Sequence, residues 1–181
     1  MRRPTRWVAL GVGVLLAAFG VLLAVQGREE TSVPRLVREH APAPAIRATT
    51  IDGRTVAPAD LAGRAYVVNF FNSWCIPCID ELPALREFYA AHADDPGFAM
   101  IGVVRDDELD AVRTFVRKQR IPWPVVYEGA DRIGLDFGTT GQPETYVVAP
   151  DGTVVCGALG ESSRAALETW LAAARADKEC V

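Results

Sequence analysis

The sequence predicts an α/β fold, a central mixed β-sheet flanked by helices, behind an N-terminal transmembrane helix. Three observations predict it. Short β-branched and aromatic runs alternate with segments of helical period, which builds a parallel sheet covered on both faces. A late pair of such runs flanks the turn Pro150-Asp151-Gly152 and adds antiparallel strands. Residues 7–25 are nineteen in a row without a charged side chain.

As a helix, that stretch is about 28 Å long, close to the hydrocarbon thickness of a bilayer. Arg2, Arg3 and Arg6 precede it, so the positive-inside rule puts the N-terminus in the cytoplasm and the rest of the chain outside. A cleaved signal peptide is the competing reading. Its apolar region is usually shorter, about 7–15 residues, and ends at a small-residue site; Val25-Gln26-Gly27-Arg28 is a poor one. Either reading exports the domain. The expected organisation is a signal-anchor helix over 1–27, a charged and then Pro- and Ala-rich linker over 28–44, and a folded domain over 45–181. The expectation is a single-pass protein of the cell membrane with an extracytoplasmic body. The formal net charge is −4, and the three leading arginines supply +3 of it, leaving −7 on the rest. An acidic body argues against nucleic acid as a partner.

Within the domain, residues 46–51 and 54–56 flank Asp52-Gly53, a hairpin signal. A loop over 58–64 leads to Tyr66-Val67-Val68-Asn69-Phe70-Phe71, a compact run that reads as a buried strand. A helix follows from Ile79 to about His92, with Leu82, Leu85, Phe88 and Tyr89 on one face. Residues 98–104 read as a second buried strand. Asp106 or Asp107 can cap the next helix, whose Leu109, Val112, Phe115 and Val116 make an apolar stripe. Then come a short strand at 124–127, a short helix near 131–136, the hairpin 145–149 and 153–157, and a last helix over 162–175. Ala165, Leu167, Trp170 and Leu171 are its candidate core residues.

The chemistry concentrates where the first buried strand meets its helix, at Trp74-Cys75-Ile76-Pro77-Cys78. A CxxC in a strand–helix–strand unit reads as a redox-active dithiol. Cys75 falls at the helix N-terminus, where free N–H groups and the macrodipole favour a thiolate, the attacking species. Cys78 lies one turn on and can resolve the mixed disulfide. Pro77 suits the first turn. Trp74 offers a flat apolar contact to a partner. A structural disulfide is the weaker reading, because a two-residue spacer makes a poor staple. Zinc wants four ligands, and no second CxxC or spaced His pair exists; no metal or cofactor is expected. His40 and His92 read as solvated.

These residues resemble the thioredoxin-like TlpA/ResA/CcmG (DsbE) family, membrane-anchored extracytoplasmic thiol:disulfide oxidoreductases of which many serve cytochrome c maturation. The likeness spans about residues 45–172. The segment Phe70-Phe71-Asn72-Ser73-Trp74-Cys75-Ile76-Pro77-Cys78-Ile79-Asp80-Glu81-Leu82-Pro83 is similar to the family's active-site segment. Gly141-Gln142-Pro143-Glu144-Thr145-Tyr146-Val147-Val148 is similar to its cis-proline segment, and Arg105-Asp106-Asp107 and Gly134-Leu135-Asp136-Phe137-Gly138 to the CcmG branch in particular. The resemblance implies a cis Gln142–Pro143 bond beside the cysteines, with the Gln142 backbone offered to a substrate strand. It implies a partly buried Glu81 that trades protons with Cys78, and a Glu144 lining the active-site groove. It implies protein thiols and disulfides as partners, apocytochrome c among them, and a membrane electron donor of the CcdA/DsbD type.

No His stands between the cysteines, which points toward the reducing, thioredoxin end of the potential scale (about −270 mV) rather than the DsbA end (about −120 mV). A reductase is therefore the leading reading. An oxidase of exported proteins and a copper-handling protein are the alternatives; copper would want a third His or Met ligand, and Met100 and His92 are placed elsewhere. Cys156 and Cys180 fall on the last strand and just past the last helix, and could meet in a second disulfide. The alternative is a buried Cys156 and a free Cys180.

Overall fold

The computed structural model describes residues 41–128, 132–176, 178 and 180, together with Gly13 and Phe19. The chain divides into two compact units, Met1–Pro34 and Arg35–Val181. In the first, only the helical Gly13 and Phe19 are described, so the expected anchor over 1–27 and most of the linker lie outside the described residues. Among the described residues no helix is long and apolar enough to cross a membrane.

In the second unit the elements run β1 (Ala48–Thr49), β2 (Thr55–Val56), α1 (Pro58–Leu61), β3 (Ala65–Phe70), α2 (Ile76–His92), β4 (Phe98–Val104), α3 (Leu109–Gln119), β5 (Val125–Tyr127), α4 (Ile133–Asp136), β6 (Glu144–Val148), β7 (Val154–Leu159) and α5 (Arg164–Arg175). Five strands form one sheet in the order β5-β4-β3-β6-β7. β3, β4 and β5 run parallel, and β6 and β7 are antiparallel to their neighbours. The mixed sheet flanked by helices is the architecture that the alternating pattern predicts.

Strand alternation divides the core. Ala65 and Val67 of β3 face a cluster with Leu82, Leu85 and Phe88 of α2, Val112 and Phe115 of α3, and Leu167 and Leu171 of α5. Tyr66, Val68 and Phe70 face the opposite cluster with Ile46 and Val56 of the first hairpin, Leu61 of α1, and Ile133 and Phe137 around α4. A strand buried on both faces has no polar side to show, which is why its run is nearly continuous and apolar.

Several local expectations are corrected. Residues 58–61, read as a loop, form α1, whose missing side-chain cap is offset by Asp60 accepting from the Ala57 N–H. α2 starts three residues before Ile79, because Cys75 itself is the N-cap and Pro77 sits in the first turn. Neither Asp106 nor Asp107 caps α3; Glu108 occupies that position without a side-chain cap bond. Ala165 is exposed, and Ala174 takes the expected core role beside Leu167 and Leu171. His92 is not solvated: its Nε2 lies 2.8 Å from Glu168 and its ring leans on Phe88. The chain is already tied to the domain before residue 45, with the Ala43 N–H donating to Gly152 and the Val154 N–H to Ala41.

Candidate active site

β3 delivers the site. The strand ends at Phe70, whose register partner on β6 is Glu144, the residue after Pro143. The loop carrying Cys75 and the segment carrying Pro143 therefore leave the sheet at one end, from neighbouring strands. The Gln142–Pro143 peptide is cis, Gln142 is half-buried, and Pro143 is buried with its carbonyl accepting from the Gly160 N–H at 2.8 Å.

Cys75 has extended backbone (φ −80°, ψ 110°), and its Sγ accepts from the Cys78 N–H at 3.2 Å. A sulfur thus takes one of the otherwise unpaired donors of the helix N-terminus, the environment that favours a thiolate once the bond is reduced. Cys75 and Cys78 are joined in a disulfide with Cα atoms 5.2 Å apart. They are only 5% and 1% exposed, while Trp74 and Ile76 on either side of Cys75 are 63% and 70% exposed. The two sulfurs are thus largely covered, and large exposed apolar side chains stand on either side of Cys75.

A loop from β4 braces the segment that leads to Cys75. The Asp107 carboxylate accepts from the Ser73 N–H at 2.6 Å and from its hydroxyl at 3.1 Å. The Asn72 amide donates to the Asp106 carbonyl, and the Tyr127 hydroxyl to the Asp107 carbonyl at 2.6 Å. Arg105 donates to Thr139 Oγ1 at 2.8 Å, linking this loop to the stretch before Pro143. Gly134 stands in that junction because a Cβ there would come within 2.9 Å of Arg105 Cδ and 3.0 Å of Glu128 Oε2. Trp74, Asp106, Asp107 and Glu108 line a cleft of about 350 Å³ beside Cys75.

Glu81, one turn after Cys78 on α2, is 3% exposed. Asn69 Nδ2 donates to its Oε1 at 2.9 Å and the Ser162 N–H to its Oε2 at 3.0 Å. Burial pushes its pKa up to about 7 against those two hydrogen bonds, which favour the ionised form, while the nearby Glu161 adds to the rise. Glu144 departs from the groove-lining position expected of it. It is buried on the other sheet face, accepting from the Thr140 N–H at 3.0 Å and from the Tyr146 hydroxyl. Burial and the neighbouring Glu144 hold the Tyr146 phenol well above its usual range.

Cys156 on β7 and Cys180 are joined, with Cα atoms 5.5 Å apart, so all four cysteines are paired. Sequence reasoning missed Asn69, Thr145, Ser162 and the Asp107–Ser73 link. Only Asn69 left a signal, as the one polar residue within an otherwise apolar strand.

A single mixed sheet covered on both faces, with a dithiol at a helix N-terminus and a cis-proline at the same end of the sheet, defines a thiol-disulfide oxidoreductase of the thioredoxin-like class. The chain belongs to the AhpC/TSA family, whose model matches residues 40–156. It is 30% identical over 129 residues to the thiol-disulfide oxidoreductase ResA of Bacillus anthracis, covering 71% of this chain and 74% of that protein. It is 33% identical over 133 residues to the thiol:disulfide interchange protein CycY of Rhizobium leguminosarum bv. viciae, covering 72% and 67%. Among solved structures, a thioredoxin-family thiol:disulfide interchange protein from Chlorobium tepidum TLS superposes with a TM-score of 0.69 at 30% identity, covering 76% of this chain and 97% of that one. The dsbF protein of MTB superposes at 0.65 and 28% identity, covering 71% and 94%.

Proposed function

We propose that the protein is a reductase of partner-protein disulfides outside the cytoplasmic membrane, held there by its N-terminal segment, with apocytochrome c among its substrates. The observation that carries the reading is Cys75 at the N-cap of α2 with Cys78 bonded to it one turn on. The export of the domain is supported by the basic, uncharged-run start of the chain and by the pairing of all four cysteines, since such bonds persist in oxidising compartments. The cytochrome role rests on the likeness to the ResA and CcmG type.

The reaction runs in two exchanges. In the reduced protein the Cys75 thiolate attacks one sulfur of a substrate disulfide, forming a mixed disulfide and releasing one substrate thiolate. The Cys78 thiol passes its proton to Glu81 and attacks Cys75 Sγ. The second substrate thiolate leaves, and Cys75–Cys78 closes. Two electrons have moved to the substrate, and a membrane dithiol donor of the CcdA/DsbD type restores the pair. Trp74, Ile76 and the Gln142 backbone receive the substrate chain.

Trapping tests the proposal. With Cys78→Ala the first exchange stalls at the mixed disulfide. Recovery of apocytochrome c or its assembly partners linked to Cys75 is expected. A broad range of exported proteins, together with a reduction potential near the DsbA end of the scale, would instead make the protein an oxidase.

A further inference from the structure

Each residue that donates a hydrogen bond to Glu81 also carries a buried acceptor without a partner. Asn69 gives its Nδ2 to Glu81 Oε1 and, at 3.0 Å, to Thr145 Oγ1, while its Oδ1 is buried and unpaired. Ser162 gives its backbone N–H to Glu81 Oε2, while its hydroxyl oxygen is buried and unpaired. Unpaired buried polar atoms are costly and rare, and two flanking one carboxylate call for a common explanation. The donors satisfy an ionised Glu81, which can only accept. A protonated Glu81 must also donate, and the two idle acceptors belong to the two residues already touching it.

We propose that Asn69 and Ser162 form a two-state cradle for Glu81, in which their N–H groups hold the carboxylate and the Ser162 hydroxyl, with Asn69 Oδ1 in reserve, accepts from the protonated acid. Neither residue's hydrogen bonds to Glu81 or Thr145 involve a sulfur. Both are positioning residues, and they give the Glu81 carboxyl group a partner in either protonation state. The surroundings are otherwise neutral on the strand side: β3 and β6 face Glu81 with Asn69 and Thr145, the turn before α5 brings Glu161, and α2 brings Cys78. The catalytic consequence rests on Glu81 serving as the proton partner of Cys78, whereas the cradle itself is read from Glu81 alone.

The test is therefore made on oxidised, full-length protein in detergent, where the cysteines do not titrate. The Glu81 carboxyl carbon is followed by ¹³C NMR against pH. The two sides of the cradle predict shifts of opposite sign. Ser162→Ala keeps the backbone donor but removes the acceptor for the acid, and lowers the Glu81 midpoint by about half a unit to one unit. Ser162→Thr keeps the hydroxyl and restores the midpoint. Asn69→Leu removes a donor to the charged form and raises the midpoint by about one unit or more; Asn69→Ser, too short to reach Oε1, replaces it if the leucine variant does not fold. A midpoint unmoved or raised in Ser162→Ala, or unmoved or lowered in the Asn69 variant, overturns the cradle. Because no sulfur exchange is measured, that failure is distinct from a failure of Glu81 to assist Cys78.

Discussion

The Asp107 carboxylate grips Ser73 at two points, accepting from its backbone N–H at 2.6 Å and its hydroxyl at 3.1 Å. Ser73 lies two residues before Cys75, so a loop from β4 fixes the segment that presents the nucleophile. Hydrogen bonds to a charged acceptor are the stronger kind. Replacing Asp107 with Ala is expected to cost about 1–3 kcal/mol of stability and to slow disulfide exchange, while Asp107→Asn, which keeps an acceptor for the N–H, loses less of both. Denaturant unfolding and insulin reduction, run on the three proteins side by side, check the ranking Asp, Asn, Ala.

Glu81 makes stability depend on pH. Its folded pKa, about 7, lies above the ordinary 4.5. A group raised in this way binds its proton more tightly in the folded state, so its contribution is complete below about pH 4.5 and is lost as pH rises toward about 7. The loss is on the order of 3 kcal/mol at most. Oxidised wild-type protein should therefore lose stability across that window, and Glu81→Gln should flatten the slope. A Glu81→Gln variant with an unchanged slope would assign the pH dependence to other groups.

Cys156–Cys180 closes a loop with a sequence separation of 24 and ties the chain beyond α5 to β7. Such a closure contributes about 3 kcal/mol through the unfolded chain. Cys180→Ser is expected to lower the melting temperature without changing the exchange rate at Cys75–Cys78. Intact mass after alkylation without reductant should find no free thiol in the oxidised wild type.

Much of the fold was legible because its signals are local. The buried strands are unbroken apolar runs, the turns carry Asp-Gly or Pro-Asp-Gly, and the CxxC falls where a strand becomes a helix. Residues whose role depends on distant partners were not legible. Asp107 looks like a helix cap, and only the approach of the β3 loop turns its carboxylate to Ser73. Ser162 looks like the start of the last helix, yet it precedes the N-cap Ser163 and meets Glu81 across 81 positions of sequence. His92 looks solvated until α5 brings Glu168 beside it. Glu144 follows a proline that shares its end of the sheet with the cysteines, but strand alternation turns its side chain to the opposite face.

Cys75, at the head of α2, is expected to be an activated thiol. The direct measurement is the rate of iodoacetamide alkylation of Cys75 in the reduced protein as a function of pH. The expected profile has its midpoint clearly below the ordinary cysteine value of about 8.5, with Cys78 silent at the same pH. A midpoint at the ordinary value, or equal labelling of the two sulfurs, would contradict it.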